Sequence, residues 1–133
     1  MAEGDEFTRQ KFVVNNAPDV HFEGKRIGFY TTQSERRPKD RWTELALWET
    51  RGGAWIAEQV GRTSREGEQA IRDALVIENV DGDRKVKIDG QIVTREVPSA
   101  AAAREMVMQF FGWTIVAKAF AREMGWDVVR RID

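Results

Sequence analysis

Trp42-Thr-Glu-Leu-Ala-Leu-Trp-Glu-Thr50, then Arg51-Gly52-Gly53-Ala54, then Trp55-Ile-Ala-Glu-Gln-Val-Gly-Arg-Thr63, is the stretch whose reading decides the fold. Two apolar and aromatic runs flank a Gly-Gly pair, and paired glycines supply the positive φ values of a tight turn. An antiparallel hairpin over 42–63 is therefore predicted. With Gly52-Gly53 as a two-residue loop, Thr50 pairs with Trp55, Trp48 with Ala57, Leu47 with Glu58 and Leu45 with Val60. Directly opposed residues share a face. One face then carries Trp42, Trp48 and Trp55, and the other carries Leu45, Leu47, Ile56 and Val60. Both are too apolar to face water. Such a hairpin is either covered in two layers by its own chain or leaves one face to a partner, because aromatic residues are enriched where interfaces are desolvated. A longer loop that draws in Ala54 shifts the register and dissolves this grouping.

Upstream, residues 1–19 read as a flexible N-terminal segment, polar at first and then loop-like at Asn15-Asn16-Ala17-Pro18-Asp19. Residues 20–133 read as a single α+β domain. From His21 to Thr32, apolar and polar residues alternate around Gly24, as in a bent strand or hairpin. Residues 33–41 are charged and contain Pro38, which marks an exposed loop. Downstream of the hairpin, Thr63-Ser64-Arg65-Glu66 fits a capping box, and Ala70, Ile71, Ala74 and Leu75 follow at helical spacing. A short helix over 64–75 is expected, with Gly67 weakening its first turn. Strand character returns over 76–97, where Asp89-Gly90 between Lys85–Ile88 and Gln91–Val97 is a type I′ hairpin signal.

Ser99 is placed to cap a helix from Ala100, in which Met106, Phe110, Trp113, Ala117, Phe120 and Met124 form one apolar stripe. Gly112 sits inside this stripe and Thr114 is a second capping residue. Two readings follow: one long helix, or two meeting at Phe111 to Trp113 and ending near Gly125. The fold class expected is thus an antiparallel β-sheet built from hairpins and packed against one or two C-terminal α-helices.

Composition narrows function more by exclusion than by assignment. The 133 residues suit one domain with a real core, and 21 basic against 22 acidic side chains leave a net charge of −1, with no overall pull toward nucleic acid or an anionic membrane. With no cysteine, disulfides, thiolate nucleophiles and cysteine-ligated metals are absent. The acidic start Met-Ala-Glu-Gly-Asp-Glu is unlike a secretory signal, and the apolar run from Met106 to Ala121 is short and interrupted for a span of about 20 residues. The expectation is a cytoplasmic protein, in the host cytoplasm if phage-encoded, with no membrane and no cofactor. Arginine outnumbers lysine 15 to 6, which suits a GC-rich bacterial or phage source.

Candidate chemistry is sparse. His21, the single histidine, has no Ser or Thr placed by sequence to be activated, so a surface histidine fits better than a general base. Asp81-Gly82-Asp83 with Glu78 lacks the roughly 12-residue pattern of a calcium loop and reads as a turn. Glu44, Glu49 and Glu58 share the hairpin and are expected to be solvated or salt-bridged. No catalytic or metal-binding residue is assigned. For nucleic acid the candidates are Arg36, Arg37, Lys39 and Arg41, with Arg62 and Arg65 at the end of the hairpin, and Lys25 and Arg26 further off, because cations beside stacking aromatics suit backbone and base contacts. Phe120 to Trp126 is similar to the middle of a helix-turn-helix, but about seven residues beyond the turn make too short a recognition helix.

Residues 41–63 resemble the hairpin of small uncharacterised proteins of actinobacteria and their phages, which implies a phage or mobile-element origin and no activity. Val60-Gly61-Arg62 and the later Lys118 to Gly125-Trp126 resemble the WGR domain of poly(ADP-ribose) polymerases and bacterial relatives. Val60 replaces that family's tryptophan, and the spacing is longer. This resemblance implies a phosphate contact by Arg62. The leading expectation is a non-enzymatic interaction protein that binds a host protein surface through Trp42, Trp48 and Trp55. A WGR-like nucleic-acid-binding domain is second. A homodimer is compatible with either.

Overall fold

The computed structural model describes residues 7–80, 84–95 and 99–132. The first six residues, the Asp81-Gly82-Asp83 turn and the Pro98 break lie outside them. Five antiparallel strands follow one another in a single sheet: β1 (Thr8–Phe12), β2 (Val20–Thr31), β3 (Arg41–Thr50), β4 (Trp55–Thr63) and β5 (Ile71–Ile77). A separate ribbon of β6 (Arg84–Ile88) and β7 (Gln91–Arg95) comes next, then helices α1 (Ala100–Phe111) and α2 (Ile115–Glu123). The architecture is α+β, as expected.

The central hairpin is β3–β4, but its loop is longer than Gly52-Gly53. The Thr50 carbonyl accepts the Gly53 N–H at 3.1 Å, and its hydroxyl accepts the Ala54 N–H at 3.0 Å. Only Gly53, with φ of 85°, takes left-handed backbone in this turn, whereas a type I′ loop needs two such residues. Ala54 is therefore drawn in, and Glu49 pairs with Trp55, Trp48 with Ile56, Leu47 with Ala57 and Leu45 with Gln59. A slip of one residue moves half the hairpin to the other face. Trp55 lies opposite to Trp42 and Trp48, and Ile56 and Val60 part from Leu45 and Leu47. The predicted three-tryptophan face does not exist.

One sheet face carries Leu45, Leu47, Ala57 and Ile77, buried against Ala103, Val107, Met108, Phe111, Ala117, Phe120 and Ala121 of the helices. Full burial of side chains such as Leu47 and Phe120 stabilises by roughly 1.5–3 kcal/mol each. Gly28 lets α2 approach, since a Cβ there would meet Phe120 and the Met124 sulfur. A bulge between Arg26 and Gly28 re-aims β2 at this point.

The other face has a smaller core of Phe12, Val14 and Ile56, with Val20, Phe22, Trp48 and Ala74 packed on it. Phe12, Phe22 and Trp48 meet edge to face at centroid distances of 5.0 to 5.8 Å. β2 supports both layers because it pairs with β1 through Val20 to Gly24 and with β3 from Gly24 to Thr31. Order thus begins well before Val20. After β1, Asn15 donates its N–H to the Arg72 carbonyl (2.9 Å) and its side chain accepts the Arg72 N–H (2.8 Å). This ties the first strand to the last and curls the sheet.

The helix expected over 64–75 is instead a loop followed by β5. Thr63 Oγ1 accepts the Arg65 N–H at 3.0 Å, and Gly67 has φ of 82°, so the capping residues form a turn. Pairing of β5 with β4 from Ile71 to Ile77 takes up the apolar residues. They had mimicked a helical spacing because Ala74 faces one core and Leu75 and Ile77 the other. The Asp89-Gly90 turn is as predicted, with φ of 51° and 82°. The C-terminal apolar segment is two helices. Ser99 caps α1 and Thr114 caps α2, each accepting an N–H three residues on, and Gly112 at φ 86° ends α1.

Candidate functional site

The three hairpin tryptophans go to three places. Trp48 belongs to the smaller core and donates its indole N–H to Glu58 Oε1 at 3.1 Å. Trp55 packs on the helix-side core, its ring parallel to that of Trp126 at 6.2 Å. Trp126 is delivered by a left-handed turn at Gly125, and its backbone N–H donates to the Ala121 carbonyl at 2.8 Å. Trp42 joins neither core. It is half-buried at the end of β3 farthest from the hairpin turn.

At this end of the hairpin lies a groove of about 650 Å³ that runs along the helix-side face, where Arg41, Thr43 and Val116 line it with Lys39 and Glu68, and that borders Trp42 and Arg62. Four of the residues singled out for partner or nucleic-acid contacts therefore converge: Trp42 with Lys39, Arg41 and Arg62. Pairing of Trp42 with Arg62 across the hairpin and the loops at either end of it bring them together. The 33–40 loop is shaped by Gln33, whose side chain accepts the Lys39 N–H (2.7 Å) and donates to the Lys39 carbonyl (3.0 Å). Ser64 donates its N–H to the Asp40 carbonyl at 2.8 Å and ties this loop to the 64–70 loop. Arg65 sits on that junction, 3.6 Å from Asp40. Arg36 and Arg37 are exposed on the loop outside the groove and, like Lys39, make no ion pair among the described residues. Lys25 is 3.8 Å from Glu49, and Arg26 stacks over Phe29.

Two acidic residues that the sequence reading did not assign to a site hold these cations: Glu68 in the groove lining and Glu44 next to Trp42 and Arg62. Glu44 accepts the Trp42 indole N–H at 3.1 Å through one oxygen and Arg62 Nε at 2.9 Å through the other. Glu68 accepts Arg41 Nε at 3.2 Å, Arg41 Nη2 and the Thr63 hydroxyl at 2.8 Å. The Arg41 guanidinium and Thr63 hydroxyl hold the Glu68 carboxyl well below the usual range, at about 2, and Glu68 in turn raises Arg41. Glu44 is legible once the register is right, since it follows Trp42 by two residues on β3 and so shares a face with the Trp42–Arg62 pair. Glu68 carried no signal, because its segment reads as helix.

Glu58, charged yet buried, accepts Trp48 Nε1 and Arg72 Nε, the latter at 2.7 Å. Glu44, Glu49 and Glu58 are all salt-bridged, as expected of hairpin carboxylates. His21 is exposed and opposite Lys11 in the β1–β2 ladder. Among the described residues there is no cluster of three or more His, Cys, Asp or Glu that could hold a metal, and no helix long and apolar enough to cross a membrane. A second cavity of about 620 Å³ beside Trp113 is lined by Glu105, Lys118, Asp127 and Arg130. Its Asp127 is taken by the Val129 N–H and by Arg131, which lower its pKa. No protein-family model, curated protein or solved structure matches the chain.

Proposed function

We propose that this chain is a non-enzymatic binding protein that engages a partner protein through the groove around Trp42. The observation that carries the reading is the gathering, at one end of the β3–β4 hairpin, of a half-buried tryptophan that belongs to neither core and three cations, all four residues bordering one groove. Aromatic and arginine side chains are the usual anchors of protein interfaces. Trp48 and Trp55 are employed in the chain's own packing, so the proposed face contracts from three tryptophans to one. Its lining carboxylate, Glu68, is paired with Arg41, which supports binding over proton transfer. Origin in a phage or another mobile element, with a host protein as partner, is supported by the resemblance of the 41–63 hairpin. The groove chemistry does not depend on it.

The test is affinity capture with the full chain from a lysate of its host, comparing wild type with Trp42→Ala after near-UV circular dichroism has verified the variant's fold. At least one captured protein should be lost selectively with Trp42→Ala. An unchanged capture profile sinks the reading.

A second reading, nucleic-acid binding, is favoured by one observation: Arg36, Arg37 and Lys39 stand without ion-pair partners among the described residues, on the loop next to Trp42. The WGR-like role of Arg62 is weakened by its commitment to Glu44. This reading predicts salt-sensitive mobility shifts with DNA or RNA that diminish when the three loop cations become alanine. The absence of a shift at low salt would remove it.

A further inference from the structure

We infer that the Trp42 groove reads carboxylates on an acidic segment of its partner, and that Glu68 occupies the reading position as an internal stand-in. The inference rests on the protein-binding reading above and names the chemistry of the partner. Glu68 belongs to the 64–70 loop, which has no regular structure and turns at the left-handed Gly67. Arg41 holds its two oxygens through Nε and Nη2, and the Thr63 hydroxyl donates to one of them. Two parallel N–H donors from one guanidinium are the fork by which arginine recognises carboxylates. The groove thus displays, in its own chain, the ligand it is shaped to hold.

The stand-in is displaceable. The Arg41 side chain is 61% exposed, and solvent-exposed ion pairs are weak and exchange with competing ions. What surrounds the fork favours an acidic segment from outside. Residues 33–41 carry four cations against two acids, and Lys39, which lines the groove, lacks an ion-pair partner among the described residues. Ile71 and Val116 add apolar surface to the lining, suited to an aliphatic residue beside the acids. Nucleic acid is less well matched, because a continuous row of phosphates needs several free cations in series, and of the three that border the groove Arg41 and Arg62 are already held by Glu68 and Glu44.

Fluorescence anisotropy with the full chain tests this, using a short fluorescein-labelled peptide of glutamate and serine with one leucine, and its glutamine counterpart. The glutamate peptide should bind wild type. Glu68→Gln, which removes the internal competitor, should tighten binding roughly two- to fivefold, and Arg41→Ala should weaken it roughly tenfold. Both substitutions lie on exposed side chains away from the two cores, and circular dichroism verifies the fold. Equal binding of the glutamate and glutamine peptides overturns the inference, as does failure of both wild type and Glu68→Gln to bind. Tighter, Arg41-dependent binding of single-stranded DNA overturns it in favour of nucleic acid. A Trp42-dependent captured protein without peptide binding defeats the carboxylate inference alone. Peptide binding enhanced in Glu68→Gln, with capture unchanged by Trp42→Ala, supports carboxylate recognition and defeats the Trp42 reading.

Discussion

Two sets of side chains on the same sheet face are built to one pattern and end in different circumstances. Trp48, Glu58 and Arg72 form one; Trp42, Glu44 and Arg62 form the other. In each, a glutamate accepts an indole N–H through one oxygen and an arginine Nε through the other. The first set lies under the curl of the sheet, with Glu58 and Arg72 side chains 9% and 23% exposed; the second lies at the open end, with Glu44 and Arg62 at 20% and 39%. Phe12 packs against Trp48 and also lies under the Arg72 guanidinium, and no such aromatic cover exists over Trp42 among the described residues. Burial, rather than residue type, separates a structural set from one available to a partner.

The largest effect expected from this difference is in the tryptophans. Trp48→Ala opens a cavity between Phe12, Phe22 and Ile56 and should destabilise by about 3–5 kcal/mol. Trp42→Ala removes a half-buried side chain that belongs to neither core and should destabilise by about 1 kcal/mol or less. Urea unfolding of the two variants gives both numbers, and equal losses would erase the distinction between the sets.

The carboxylates should follow at smaller scale. Glu58→Ala leaves a largely buried guanidinium and an indole N–H without their acceptor, and should lose about 2–3 kcal/mol, with the remaining solvent access of Arg72 moderating the penalty. Glu44→Ala should lose under about 1 kcal/mol, because water reaches Arg62. The ratio of the two losses, measured in one buffer, sharpens the comparison: a Glu44→Ala loss as large as that of Glu58→Ala would mean that the open end is as structural as the curl.

The open end was only partly legible in the sequence, for reasons that can be located. The hairpin at 42–63, the Asp89-Gly90 turn, and the capping residues Ser99 and Thr114 all depend on local backbone chemistry, and they were readable from a few adjacent residues. The register of β3–β4 was not, because Thr50 adds hydroxyl and carbonyl acceptors that stretch the turn, and one residue of stretch reverses every side chain of a strand relative to its partner. β1 was missed because a short polar strand becomes ordered only through distant pairing with β2 and the Asn15–Arg72 tie. β5 reads as a helix because its apolar residues fall on both faces, Ala74 toward one core and Leu75 and Ile77 toward the other, so they do not follow the two-residue alternation of a strand. Of the site, the cations and Trp42 could be nominated by type. That they converge while Trp48 and Trp55 leave depends on the sheet's curl and register.

The smallest effect concerns the exposed fork itself, and its sign follows from the direction of the shift. Arg41 and the Thr63 hydroxyl depress the Glu68 pKa to about 2, below its value in the unfolded chain. The folded state therefore gains from the fork above the ordinary carboxylate range, and this gain fades as pH falls from that range toward 2. Because both side chains are solvated, the contribution to global stability should be slight, whereas the local titration should be plain to see. In side-chain carboxyl nuclear magnetic resonance, Glu68 should titrate far below an ordinary glutamate in wild type and return toward ordinary values in Arg41→Ala. An added acidic peptide should also raise its midpoint, because a partner that takes the fork releases Glu68 to water. A Glu68 midpoint in the ordinary range in wild type would mean that the fork is not formed in solution, and the open end would then differ from the curl in ion pairing as well as in burial.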